Sequence, residues 1–307
     1  MSLGGAAAER KTNILFYNSF FGSYPDWSKF CCSTSCHFTN DRRLIDEADA
    51  VIFHLPQLNE VGRVSKRPGQ IWIAWSMESR GHTPIRNDPA FMRYFDMQMT
   101  FERSADIWCS YLPKRAEWEA ALSKAPSPKT EAANVVMFQS ATNDLSGRNA
   151  YAAELMTKIQ VDSFGKFLNN RAIPAPDFGM PTKLETISKY KFCIAFENTI
   201  ENDYVTEKFF QPLLSGTVPI YMGAPNIDEF SPGDHCYIDA RKFSSPQALA
   251  AYLTELATND AEYARYFEWR RKPLRPAFSA LLEENETEAF CRLAALVEKH
   301  LGRPGAA

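Results

Sequence analysis

Lys191-Phe192-Cys193-Ile194-Ala195-Phe196, then Glu197-Asn198, Asp203-Tyr204-Val205-Thr206-Glu207-Lys208 and Val218-Pro219-Ile220-Tyr221-Met222-Gly223, decides how this chain is read. The first six residues are apolar and β-prone enough to form a buried strand. Thr206 can cap a helix, and Phe209, Phe210, Leu213 and Leu214 repeat at helical spacing behind it. A polar loop between the carboxyl end of a strand and the amino end of a helix is where open α/β sheets bind ligands. Unpaired N–H groups there favour an anion. Lys208 adds a full positive charge, and Glu207 places a carboxylate beside it.

Strand and helix patterns alternate outward from this stretch. Ile14–Tyr17, Ala50–His54, Gln70–Trp75, Met97–Phe101 and Ile107–Tyr111 read as strands or extended segments, with helices at Pro89–Tyr94 and Lys114–Ser123. Residues 125–131, Ala-Pro-Ser-Pro-Lys-Thr-Glu, break the periodicity and mark a linker. A second series follows, with strands at Asn134–Gln139, Val161–Phe164, Lys191–Phe196 and Val218–Met222. Its helices are Asn149–Ile159, Leu184–Tyr190, the one capped by Thr206, Gln247–Ala257 and Ala261–Arg271. Two β/α series predict an α/β protein of two facing Rossmann-like domains, 1–130 and 131–307, the second ending in helices.

Composition narrows the function. Among 307 residues, 45% are hydrophobic and 23% charged, as in a globular protein. A net charge of −3 and a pI near 6.0 argue against a nucleic-acid surface. No apolar run is long enough to span a bilayer, and residues 1–11 lack a signal-peptide core. Seven cysteines, an odd number, fit a reducing compartment better than a disulfide scaffold. Cys31, Cys32, Cys36 and His37 cluster, yet no second pair completes four zinc ligands, so they read as thiols. The sequon Asn285-Glu286-Thr287 carries little weight at this length. There is no G-x-G-x-x-G, no P-loop, no G-x-S-x-G and no Asp-x-Asp, so a bound diphosphate would be neutralised by side chains and amides.

The combination of Phe196-Glu197-Asn198, Asp203–Lys208 and Val218–Gly223 resembles the signature of the α-1,3-fucosyltransferases, glycosyltransferase family 10. Ser188–Phe192, Asn143–Leu155 with Arg148, Val161–Gly165, Ala48–His54, Glu78–Pro84 and Met99–Asp106 are similar to further family motifs. The resemblance runs from about Ala48 to about Phe243. It implies a GT-B-type architecture and inverting transfer of L-fucose from GDP-fucose to a hydroxyl of an N-acetylglucosamine-containing glycan. The donor would lie in the C-terminal domain and the oligosaccharide acceptor in the N-terminal one. It further implies no cofactor, no metal required for the chemistry and no nucleic-acid partner. Lacking an evident anchor or disulfides, the chain looks like a bacterial, cytoplasmic member with at most peripheral membrane contact; for a truncated eukaryotic member the Golgi is implied.

By the same resemblance Glu78 is the general base, and Arg148 and Lys208 neutralise the diphosphate. Glu207 takes the ribose hydroxyls, and Asn198 and Tyr204 orient the donor. Each has an ordinary reading too. Glu78 could be a solvated carboxylate or a partner of Arg80, Arg148 a surface cation, and Tyr204 a packing residue. His54 and His82 are rival bases, or structural histidines. Trp72 and Trp75 read as core before sugar platforms, and Tyr263, Phe267 and Trp269 as one face of a helix packed on the fold. Where the family commonly has Glu-Ser-Pro this chain has Glu78-Ser79-Arg80, and where a Tyr-Arg pair is common it has Phe101-Glu102. Both departures lie on the acceptor side. They leave open the same fold with another GDP-sugar, or a silent sugar-nucleotide-binding protein.

Overall fold

The computed structural model describes residues 11–29, 32 and 36–303. The chain divides into two compact units, one built up to Cys109 and again from Thr287, the other from Ser110 to Glu286. In the first, β1 (Thr12–Phe16), β2 (Cys36–Thr39), β3 (Ala50–His54), β4 (Ile71–Ser76), β5 (Met97–Thr100) and β6 (Ile107–Trp108) form one sheet. A short helix, α1 (Pro89–Met92), precedes β5. The strand order is β2-β1-β3-β4-β5-β6, and every pairing is parallel. All residues of β3 and β4 are buried, which is why they read as continuous apolar runs: a parallel sheet is covered on both faces.

In the second unit α2 (Arg115–Leu122) leads into β7 (Val135–Met137), α3 (Arg148–Met156), β8 (Val161–Ser163), α4 (Met180–Ser188) and β9 (Phe192–Phe196). Then come α5 (Glu207–Leu214), β10 (Val218–Met222), β11 (Ile238–Asp239), α6 (Pro246–Thr258), α7 (Asp260–Arg265) and α8 (Pro276–Glu286). The sheet order is β11-β10-β9-β7-β8, again wholly parallel. Alternate strand residues feed two cores. Val135, Met137, Ile194, Phe196, Ile220 and Met222 pack with Ala152, Leu155, Leu249 and Leu253. Val136 and Cys193 pack with Phe164, Ile187 and Tyr190 on the other side. Phe209, Phe210 and Leu213 of α5 are fully buried, each contributing about 1.5–3 kcal/mol.

The last helix, α9 (Ala289–His300), belongs to the first unit. Its Phe290 lies 5.6 Å from both Trp75 and Trp27 and 6.3 Å from Phe16, ring centre to ring centre. Cys291 is disulfide-bonded to Cys32, and Arg303 pairs with Asp49 at 3.0 Å. Here the structure corrects the sequence. Cys32 is no thiol, because a partner 259 residues away leaves no local spacing signal. Cys36 is half-buried in β2, and Cys31 lies outside the described residues.

The units also divide differently from the expected 130/131 boundary. Residues 110–130 pack with the second unit, and the connection across 125–131 is anchored: the Lys129 ammonium donates to the carbonyls of Ser188 (2.8 Å) and Gly216 (2.6 Å). The expected helix Ala261–Arg271 is α7 followed by a separate 3-10 turn at Glu268–Arg271; Tyr263 and Trp269 are buried, as one packed face requires. Asn285 of the sequon is buried, donating to the Leu112 carbonyl (2.7 Å) and accepting from Ser110 (3.2 Å). No helix of the described residues is long and apolar enough to cross a membrane.

Candidate active site

Both sheets carry the 2-1-3-4 strand order whose reversal opens a crevice at the carboxyl ends of the first and third strands. In the second unit that point lies between Met137, at the end of β7, and Phe196, at the end of β9. The loop after β9 is held from within. Glu197, wholly buried, donates its N–H to the Met222 carbonyl (2.8 Å). Its carboxylate accepts the Thr206 N–H (2.8 Å) and hydroxyl (2.9 Å). Gly223 makes this possible: a Cβ there would stand 2.6 Å from Glu197 Cγ and 2.4 Å from the Tyr221 hydroxyl. Thr206 caps α5 as expected, accepting the Lys208 N–H.

Lys208 therefore starts α5 among anions. Its ammonium donates to Thr206 Oγ1 (2.9 Å) and lies 3.2 Å from Glu207 and 3.4 Å from Glu197. Burial opposes its charge, but Glu197 and Glu207 outweigh burial and hold its pKa above the ordinary value. Burial raises the Glu197 carboxyl, against the pull of Lys208. Burial raises the Glu207 carboxyl, but the Lys208 and Lys183 charges outweigh it and hold it below its ordinary value.

Across the crevice, Asp144 braces the turn that starts α3, whose N-cap is Gly147. Its carboxylate accepts the N–H groups of Ser146 (2.9 Å), Gly147 (2.9 Å), Arg148 (3.2 Å) and Asn149 (2.9 Å). The Ser146 hydroxyl donates to the Glu197 carbonyl (2.7 Å), and the Leu145 N–H to that of Asn198 (2.7 Å). Arg148 is no surface cation. It is 1% exposed, and its guanidinium donates to the carbonyls of Phe196 (3.1 Å), Ala141 (3.0 Å) and Asn143 (3.4 Å), so it ties the two loops together. Asn198 is buried at the loop's start, and Tyr204 is buried with its ring 6.4 Å from Tyr111. Asp203, before Tyr204, has a left-handed backbone (φ 64°) fixed by reciprocal hydrogen bonds with Asn226 at 2.9 and 2.8 Å. A non-glycine residue held in that region is typical of ligand loops.

In the first unit Glu78 follows β4 at its carboxyl end, half-buried, with its carbonyl bound by Ser76 and Arg86. No hydrogen bond or ion pair engages its carboxylate among the described residues. Arg80 is not its partner: Arg80 pairs with Glu102 (2.5 Å), as does the fully buried Arg86. The two departures from the family pattern, Arg80 and Glu102, thus answer each other. Burial raises the Glu102 carboxyl, but Arg86, the Thr100 hydroxyl and Arg80 bring it below its ordinary value. His54 is wholly buried with Nδ1 at 3.0 Å from the Ser19 carbonyl, and burial lowers its pKa. Trp72 and Trp75 are core residues.

Arg148, Asn198, Tyr204, Glu207 and Lys208 are therefore gathered at one crevice, and Glu78 stands at the corresponding edge of the other sheet. Sequence reasoning passed over Glu197 as a brace, Asp144, Asn226 and Lys183. Asp144 gave no standard helix-start signal, because it stands three residues before the cap, Gly147. Two wholly parallel sheets, each with a 2-1-3-4 strand order, are the two Rossmann-like sheets of a GT-B-type fold.

The chain matches "Fucosyltransferase, N-terminal" over residues 9–112 and "Glycosyltransferase family 10 (fucosyltransferase) C-term" over 127–304. It belongs to glycosyltransferase family 10. It is 33% identical over 274 residues to Alpha-(1,3)-fucosyltransferase B of Drosophila melanogaster, covering 81% of this chain and 60% of that protein. It is 30% identical to GDP-fucose protein O-fucosyltransferase 3 of Xenopus laevis, covering 78% and 54%. The chain thus spans little more than half the length of these relatives. Its fold is similar to a crystal structure of an α1,3-fucosyltransferase with GDP, with a TM-score of 0.62, 17% identity, and coverage of 97% and 93%.

Proposed function

We propose that this protein transfers L-fucose from GDP-fucose, with inversion, to a hydroxyl of an N-acetylglucosamine-containing glycan. The observation that carries the reading is Lys208, held protonated at the start of α5 beside Glu207, at the crevice between β7 and β9. There it would stabilise the negative charge that develops on the diphosphate as the bond to fucose C1 breaks. Glu207 would accept from the ribose hydroxyls, and Asn198 and Tyr204 would orient the donor. Arg148 would hold both loops beneath the diphosphate. The acceptor oxygen attacks C1, GDP leaves with the bonding electron pair, and the acceptor proton passes to Glu78. Glu78 suits this role because Glu102 occupies Arg80.

Cationic side chains supply the charge in this account, so turnover is expected to survive EDTA. Complete loss in chelator, restored only by a metal, would contradict it. A second acceptor class, a hydroxyl on a protein, is favoured by the likeness to the Xenopus protein O-fucosyltransferase. The Cys32–Cys291 disulfide supports an oxidising compartment in place of the expected cytoplasm. Assay of one GDP-fucose preparation against glycan and folded-protein acceptors, read by product mass, separates the two acceptor classes.

A further inference from the structure

Among the described residues, three cations stand at or beside the crevice of the second unit, and two are already engaged. Arg148 is committed to three carbonyls, and Lys208 has two carboxylates within 3.4 Å. The third is Lys183, in the first turns of α4. That helix runs beside α5, where Gln211 Nε2 donates to Met180 Sδ at 3.2 Å. The Lys183 ammonium lies 5.6 Å above the ring of Phe138, the residue that follows β7, and Phe138 is itself stacked on Phe164 at 5.1 Å. So Lys183 reaches the carboxyl end of β7, on the ligand edge of the sheet.

Its ammonium is partly buried and has no hydrogen bond or ion pair among the described residues. The charges it feels are Glu207 and its like-charged neighbour Lys208. Glu207 offsets part of the cost of that burial, and a further anion between the two ammonium groups would offset more. Burial accordingly lowers its pKa. The amine still has its three donors to give.

We infer that Lys183 is a nucleotide-binding residue, joining Lys208 in holding the diphosphate of the donor. This rests on the GDP-sugar reading above. The family resemblance pointed to Arg148 and Lys208 for this task. Lys183 instead takes the share of the charge that Arg148, tied to backbone, cannot give.

Calorimetric titration of GDP and of guanosine into wild type, Lys183→Met and Lys183→Arg tests it. Lys183→Met should weaken GDP by about tenfold or more, the loss of one charge-assisted contact, and leave guanosine within about twofold. Lys183→Arg should restore most of the GDP affinity. An unchanged GDP affinity in Lys183→Met, or an equal loss for guanosine, overturns the inference. Wild type that binds no GDP overturns the donor reading itself, so the two failures are distinguishable. Thermal unfolding checks each variant, and Lys183→Gln carries the same comparison if the Met variant does not fold.

Discussion

Replacing Arg148 with alanine separates a phosphate ligand from a structural tie. The side chain is 1% exposed and bonds to the carbonyls of Phe196 (3.1 Å) and Ala141 (3.0 Å), with a weaker bond to Asn143 (3.4 Å). Removing it takes the guanidinium from the buried Phe196 carbonyl, at about 1–3 kcal/mol, loosens the tie at Ala141, whose carbonyl also accepts from Gln139 Nε2 (3.3 Å), and opens a cavity where the arginine stem packed. The sum is a destabilisation of about 3–5 kcal/mol. At about 2–4 °C per kcal/mol for a unit of this size, Tm should fall by roughly 6–20 °C. Arg148→Lys, which can reach one carbonyl but not span both loops, should recover only part of it. Differential scanning calorimetry of the ligand-free protein reads the effect. A Tm within about 2 °C of wild type, with GDP affinity alone collapsing, would refute the reasoning and return Arg148 to the role of a solvent-facing phosphate fork.

Glu78→Gln keeps the shape of the proposed base and removes its basicity. Turnover should fall by about 10²–10⁴-fold while GDP affinity stays near wild type, and a variant that keeps most of its activity moves the base to His82. Glu102 has a folded pKa below its ordinary value of 4.5, so in that interval the unfolded chain binds more protons. The stability it contributes is complete above that ordinary value and is lost as pH falls through the folded one. Acid unfolding of Glu102→Gln should show a shallower loss in that window, from a lower starting stability because Arg86 is left buried without its carboxylate; an identical acid limb would show that the pair is not linked to pH. Cys291→Ser should cost about 2–5 kcal/mol in denaturant unfolding, and reductant should lower wild type to the level of the variant. If wild type is indifferent to reductant, the bond is not formed.

What the sequence disclosed follows from what local pattern can encode. β3 and β10 were read to the residue because a buried parallel strand is a closed apolar run with punctuation at each end. The Thr206 cap was legible because capping needs one residue type at one position. β2 and β11 went unread: the first has only half-buried or exposed residues, and the second is two residues long at a sheet edge. The place of α9 and the Cys32–Cys291 bond were invisible because both depend on contacts between the two ends of the chain. At the crevice, Lys208 and Glu207 lie where the loop–helix pattern put them. Burial was the quantity the sequence could not supply. It turned Arg148 from a forked ligand into a tie between loops, gave Glu197 its role as a brace, and left Lys183 with no hydrogen bond or ion pair among the described residues.

The central claim is that GDP-fucose is the donor and that its sugar is transferred. Incubating the protein with GDP-fucose and a panel of N-acetylglucosamine-containing glycans and folded protein acceptors, with mass spectrometry of the acceptors and assay of released GDP, tests it most directly. The account predicts addition of a single deoxyhexose to at least one acceptor, with one GDP released per transfer, and no transfer from UDP-sugars. Binding of UDP-sugars in preference to GDP-fucose, with no deoxyhexose on any acceptor, would contradict it.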